Sequence, residues 1–214
     1  MRTILLSIFV IFTLNSFSQQ KAWSEDTTYW YNYQKYLNDK IGLEELSKSQ
    51  FPFAIRISSL NTITDIWTED GKKFFGSQTY FTSTSEDNLE NIKYLFRNEI
   101  IREDTTQIIR QLIEEYNILF LPPQDSIEGW VDGFDGTIYL IEYATTNTYS
   151  FKSYWTPTAF PLIPEAVTLS NFVLKINELL KENQKFDSFI KSLPNNISYR
   201  YGNAWTRKLI NRKK

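Results

Sequence analysis

Between residues 53 and 82 the chain alternates apolar and polar side chains on both sides of an Asp-Gly pair, and this pattern limits the fold more than any other feature. In FAIRIS, Phe53, Ile55 and Ile57 alternate with Ala54, Arg56 and Ser58, the two-residue period of a half-buried strand. Residues 62–69 and 72–82 then flank Asp70-Gly71. A two-residue type I′ turn needs positive φ at both central positions, and Asp-Gly supplies them. Such a turn sets Glu69 opposite Lys72 and Trp67 opposite Phe74, two favourable cross-strand pairs. Gly76 is expected to mark a bulge. A meander of this kind is antiparallel, and its apolar face needs a second layer to cover it.

Helical periodicity supplies that layer. Residues 24–41 read as a helix: Ser24 caps it, Glu25 and Asp26 sit at the positive end of its dipole, and Gly42 ends it. Trp30, Tyr33, Leu37 and Ile41 share one face, read as core in preference to an aromatic ligand platform. A second helix begins near Asp104, which forms a capping box with Gln107, and its stripe is Ile108, Ile109, Leu112 and Tyr116. A third, over 165–182, is opened by Pro164 and buries Leu169, Phe172, Val173, Ile176, Leu179 and Leu180. KFDSFIKSL adds a short helical turn with Phe186, Phe189 and Ile190 inward. Further strands are expected at 92–101, 137–143, 148–155 and 197–201. The expected class is α+β: an antiparallel sheet of about six or seven strands with three main helices packed against it. Residues 19–214 form one domain with a short basic tail from Arg207 to Lys214.

The N-terminus predicts export. Arg2 precedes the apolar run Ile4–Leu14, and Ser16 and Ser18 place small residues at positions −3 and −1 of a cleavage site. This is the three-part plan of a signal peptide spanning residues 1–18, and its apolar run is too short to span a bilayer. No later segment approaches about 18 consecutive apolar residues, so no transmembrane segment is expected after cleavage. The expected location is the periplasm or the medium. The chain has no cysteine, which excludes a lipid-modified cysteine and any disulfide, so a hydrophobic core must hold the fold. Six Trp, 13 Tyr and 16 Phe supply the material. Histidine is absent as well. Together these absences exclude Ser-His-Asp and Cys-His nucleophiles and His/Cys zinc sites. A net charge of −2 argues against a nucleic-acid partner.

The densest candidate stretch is GWVDGFDGTIYLIEY, residues 129–143. With Asp132 at position 1 of an EF-hand loop, position 3 is Phe134 and position 6 is Thr137, so the calcium pattern fails. An irregular site from Asp125, Glu128, Asp132 and Asp135 is outweighed by the reading of Asp-Gly as turn chemistry ahead of a strand. Neither a metal nor a cofactor is expected. Glu142 shares a strand face with Ile138 and Leu140. It is read as ion-paired, with Lys152 on the next strand as the natural partner, in preference to a buried general acid. Trp130 and Trp155 flank the hairpin and are the first choice for a sugar-stacking face. The candidate binding residues are therefore Trp130, Asp132, Asp135, Glu142 and Trp155, with no catalytic set. Asn196-Ile197-Ser198 matches a glycosylation sequon and is read as a chance match.

This stretch, followed by YSFKSYWTP and a long amphipathic helix, resembles a module of uncharacterised exported bacterial α+β proteins. Those proteins carry a Trp, then Asp-Gly, then Tyr and Glu on a strand, then an aromatic-Pro close. The resemblance covers residues 127–182, with a weaker echo in FAIRISS. It implies an α+β fold and an envelope location, and it carries over no activity and no catalytic residue. The leading expectation is a non-enzymatic exported protein that binds an envelope protein or glycan. The alternative is a carboxylate-dependent hydrolase of envelope glycans.

Overall fold

The computed structural model describes residues 24–85, 92–195, 197–202 and 204–207. The expected signal peptide, Asn196 of the sequon and the tail beyond Arg207 lie outside them. Helix α1 (Glu25–Ile41) leads into the meander β1 (Phe53–Ser58), β2 (Thr62–Thr68), β3 (Phe74–Ser85) and β4 (Lys93–Ile100). Helix α2 (Glu103–Glu115) precedes the hairpin β5 (Ile138–Ala144) and β6 (Tyr149–Trp155). Helices α3 (Pro164–Leu180) and α4 (Glu182–Ser192) follow, then the short hairpin β7 (Ser198–Tyr201) and β8 (Ala204–Arg207).

The sheet is antiparallel throughout. Its long strands run β6-β5-β1-β2-β3-β4, and the β7–β8 hairpin continues from the far end of β3. This is the α+β architecture expected, with a fourth helix where only a helical turn was read. Strand β1 lies in the middle of the sheet, and residues 54–58 are buried on both faces rather than one. One face carries Ile55, Ile57, Ile66 and Ile141 and packs against α2 and α3, with Phe172, Leu169 and Ile109 fully enclosed. Phe186 and Phe189 of α4 extend that layer onto Tyr80. The other face carries Ala54, Arg56, Ser58, Ile63 and Phe81, and α1 crosses it from β6 to β4.

Local chemistry fixed several elements as expected. Ser24 Oγ accepts from the Thr27 backbone N–H, and Gly42 closes α1 in the left-handed conformation at φ 70°. Pro164 stands in the first turn of α3. Other expectations fail for identifiable reasons. The Asp70 carboxylate accepts from the backbone N–H groups of both Lys72 and Lys73, which draws a five-residue loop between Thr68 and Phe74. Trp67 therefore pairs with Phe75, not Phe74. That one-residue difference sends Phe74 into the core and leaves Trp67 stacked on Phe75 on the α1 face, 5.9 Å between centroids.

Gly76 pairs in unbroken register with Ile66 and forms no bulge. A Cβ there would stand 2.7 Å from Thr106 Oγ1, so this glycine admits α2 against the sheet. Helix α2 starts one residue before Asp104, whose side chain accepts from Thr105 next to it instead of forming a box with Gln107. Its buried stripe runs Thr105, Thr106, Ile109, Leu112, Ile113, and Ile108 faces solvent.

Candidate functional site

Two hollows lie under α1, between the helix and the sheet face that it crosses. The first, a recess of about 160 Å³, is roofed by Tyr29, Trp30, Tyr33 and Gln34 and floored by Ser58, Phe81 and Leu140. Asn61, Tyr94 and Arg200 stand around it. The second, a groove of about 250 Å³, begins at the helix N-terminus and is bounded by Asp26, Asp125, Asp132, Trp130 and Trp155. Trp30 and Ile138 line both, so the hollows adjoin.

The expected stripe on α1 divides between two roles. Leu37 and Ile41 are core, packed with Ile63 and Phe81. Trp30 and Tyr33 are half-buried and face the recess, with their rings edge to face at 5.7 Å. The helix is held over the sheet by a hydroxyl contact between Thr27 and Ser153 at 3.2 Å and by Tyr31 against Phe151.

The floor is polar as well as apolar. Ser58 is 2% exposed, and its hydroxyl has no hydrogen-bond partner among the described residues. A buried hydroxyl left unpaired costs about 1–3 kcal/mol, and this one belongs to a residue that lines the recess. Asn61 is anchored, donating to the Phe81 carbonyl at 3.1 Å and accepting from the Gly202 backbone N–H at 2.8 Å. That second bond ties the β7–β8 hairpin to the rim and places Arg200 there. Burial raises the Tyr33 hydroxyl, with the Arg200 charge acting against the rise. Burial likewise pushes Tyr94 up to about 12, again opposed by Arg200. Both phenols are neutral donors at ordinary pH.

Of the expected site residues, Trp130, Asp132 and Trp155 border the groove, Asp135 lines neither hollow, and Glu142 lies elsewhere. Trp130 is 4% exposed and is largely a core residue, its indole N–H donating to the Trp155 carbonyl at 2.8 Å. Gln124 braces the loop, donating to Asp132 Oδ1 at 2.7 Å and accepting from the Trp155 backbone N–H.

The two Asp-Gly pairs prove to be packing devices. Neither Gly133 nor Gly136 has positive φ, whereas Gly129 does, at 81°. A Cβ on Gly133 would stand 2.4 Å from the Trp155 ring, and one on Gly136 would stand 1.9 Å from Thr156 Oγ1. The loop lies flat on the indole because both residues lack a side chain. Among the described residues no group of three Asp or Glu side chains is arranged to hold a metal ion.

Glu142 is 3% exposed, in the middle of β5, about 13 Å along the strand from Ile138 at the hollows. Its expected partner is wrong. Lys152 pairs with Ile141 and so points to the opposite face, where its ammonium donates to the Leu119 and Leu121 carbonyls at 2.8 and 2.7 Å. Glu142 instead accepts from the Tyr149 hydroxyl at 2.9 Å and stands across from Arg56 on β1. The Arg56 guanidinium forks onto both Asp65 oxygens, at 2.7 and 3.1 Å, and donates to the Glu44 carbonyl at 3.0 Å. Burial pulls Arg56 down, but Asp65 and then Glu142 more than offset it and hold the cation firmly charged. Burial raises Glu142, against the opposing charge of Arg56 and the Tyr149 hydrogen bond. A second raised carboxyl, Glu182, is half-buried on the other side of the sheet near Thr62 and Tyr139.

Helical spacing favours core over a ligand platform for Trp30 and Tyr33, and no sequence signal marks Ser58, Asn61 or Arg200, which come from strand ends and a turn far apart in the chain. No protein-family model matches the chain, and a search of curated proteins returned no match.

Proposed function

We propose that this chain is an exported, non-enzymatic binding protein of the bacterial envelope, and that it takes a glycan in the recess and groove under α1. The observation that carries the reading is the recess itself: an aromatic roof of Trp30 and Tyr33 over a floor that includes Ser58, whose hydroxyl has no partner among the described residues. Sugar rings present C–H faces to aromatic rings and hydroxyls to fixed polar groups, and such a lining offers both. The leader-like residues 1–18 and the resemblance of residues 127–182 to exported proteins support the location. No described helix is long and apolar enough to cross a membrane.

The placement of the two raised carboxyls favours binding over hydrolysis. Glycoside hydrolysis uses two carboxyl groups about 5–10 Å apart on either side of one bond. Glu142 faces Arg56 and Tyr149 and Glu182 lies on the other side of the sheet, so these two raised carboxyls do not share a hollow.

Expression with the native leader, followed by fractionation and N-terminal mass spectrometry, tests the location. The expected product begins at Gln19 and leaves the cytoplasm. A glycan array tests the binding, with signal expected for the wild type and lost in Trp30→Ala. An unprocessed cytoplasmic chain contradicts the first half of the reading. Release of reducing ends from a bound glycan contradicts the second.

A further inference from the structure

The recess and the groove are opposite in charge. Among the described residues, Arg200 is the one charged residue lining the recess, and no carboxylate lines it. Asp26, Asp125 and Asp132 border the groove, with no Lys or Arg among the described residues that line it. Among the described residues no carboxylate lies within ion-pair distance of Arg200, whereas the buried Arg56 is fully engaged with Asp65. A rim cation with no carboxylate partner among the described residues, beside a buried hydroxyl with no hydrogen-bond partner among them, describes a site that is completed by an anionic ligand.

Size narrows the class. An engineered protein cavity of about 150 Å³ holds one benzene ring. The recess, at about 160 Å³, therefore accommodates one six-membered ring and little more. The benzene cavity is dry and apolar, whereas this one presents the Ser58 hydroxyl, the Asn61 amide and the Tyr33 and Tyr94 phenols. A hydroxylated ring matches that lining better than an apolar one.

From these observations we infer that the recess binds a single pyranose unit bearing a carboxylate, with the carboxylate toward Arg200, a ring face against Trp30 and a ring hydroxyl reaching Ser58. The inference rests on the glycan reading above and deepens it. The same chemistry is carried by a free sugar acid and by the acidic end unit of a glycan. In the second case the chain leaves the recess past Trp30 into the acidic groove, which repels a second acid directly adjoining the first. A run of consecutive sugar acids is accordingly a poorer ligand than an acidic unit followed by a neutral one.

The experiment is calorimetric titration of the mature chain with D-glucuronate, D-glucose, and a disaccharide ending in glucuronate joined to a neutral sugar. Each is run at low and high salt, on wild type, Arg200→Gln, Ser58→Ala and the far-face control Lys175→Gln. Arg200 is exposed on a hairpin, so its replacement leaves the fold intact, and an amide NMR spectrum verifies this. A charge-assisted contact makes glucuronate bind about tenfold tighter than glucose. Arg200→Gln removes that preference, high salt weakens it, and Lys175→Gln leaves it unchanged. A tighter disaccharide identifies the glycan end as the source, and equal affinity identifies the free acid. Glucose and glucuronate binding within about twofold of each other overturns the acidic-sugar inference while leaving the glycan reading in place. Glucuronate binding that survives Arg200→Gln overturns the assignment of Arg200. Array signal from neutral glycans alone, with no response to either acid, likewise overturns the inference and not the glycan reading.

Discussion

The Tyr149 hydroxyl donates to Glu142 at 2.9 Å, and the pair sits on the face of the sheet away from Lys152. The Glu142 carboxyl is raised by burial, so the folded chain retains a proton that the unfolded chain releases near the ordinary carboxylate value of 4.5. Stability from this group is full below that value and declines as pH rises toward the folded-state value. Glu182, also raised by burial, contributes with the same sign. Glu142→Gln keeps an acceptor for Tyr149 and removes one titration. Its unfolding free energy is expected to fall less than the wild type's as pH rises above about 4.5, and to be no lower than the wild type's at pH 7. Urea unfolding at stepped pH measures this. A loss of more than about 1 kcal/mol at pH 7 shows that an ionised Glu142 is needed.

Arg56 and Asp65 form a buried bidentate pair, 3% and 14% exposed. Removing one partner leaves an uncompensated charge, so Asp65→Ala is expected to cost about 3 kcal/mol. Replacing both with apolar residues, as Arg56→Met with Asp65→Leu, removes the charges together and is expected to recover most of the loss. Denaturant midpoints of the two variants decide between a charge effect and a packing effect.

What was legible in the sequence and what was not divide along the range of the interactions. Ser24, Gly42 and Pro164 act on their own turns, so the ends of α1 and the start of α3 could be read directly. The Asp70-Gly71 hairpin was visible as a turn, but its register depended on how many N–H groups the Asp70 carboxylate would take, and that is not encoded in spacing. Ile108 met the helical period, yet the outward side of α2 was decided by where Gly76 let Thr106 approach the sheet. The candidate site was half visible. Trp30 and Tyr33 stood out on a helix face, while Ser58, Asn61 and Arg200 join them only through the strand order β5-β1-β2-β3-β7.

Glycines of opposite kinds predict opposite tolerances. Gly136 has ordinary φ but no room, so Gly136→Ala drives a methyl into Thr156 and the Trp155 indole. The expected cost is about 1–3 kcal/mol, with a shift in tryptophan fluorescence. Gly71 has open space but φ of 73°, so Gly71→Ala is expected to cost about 1 kcal/mol with no spectral change. Thermal unfolding monitored by fluorescence reads both.

Lys181 links α3 to α4 with φ of 54°, a left-handed position without a glycine. Lys181→Gly relieves that conformation at an exposed residue. It is expected to stabilise the chain by about 0.5–1 kcal/mol in chemical denaturation, against the usual penalty for glycine near helices.

The central claim is that ligand enters under α1. Amide and indole chemical-shift mapping of ¹⁵N-labelled protein spanning residues 19–214, titrated with a glycan that scores on the array, tests it most directly. Shifts are expected at the Trp30 indole N–H and at the Ser58, Asn61 and Arg200 amides, with α2 and α3 silent. Shifts confined to the exposed edge around Phe96 and Ile100, or to the α2–α3 layer, contradict it.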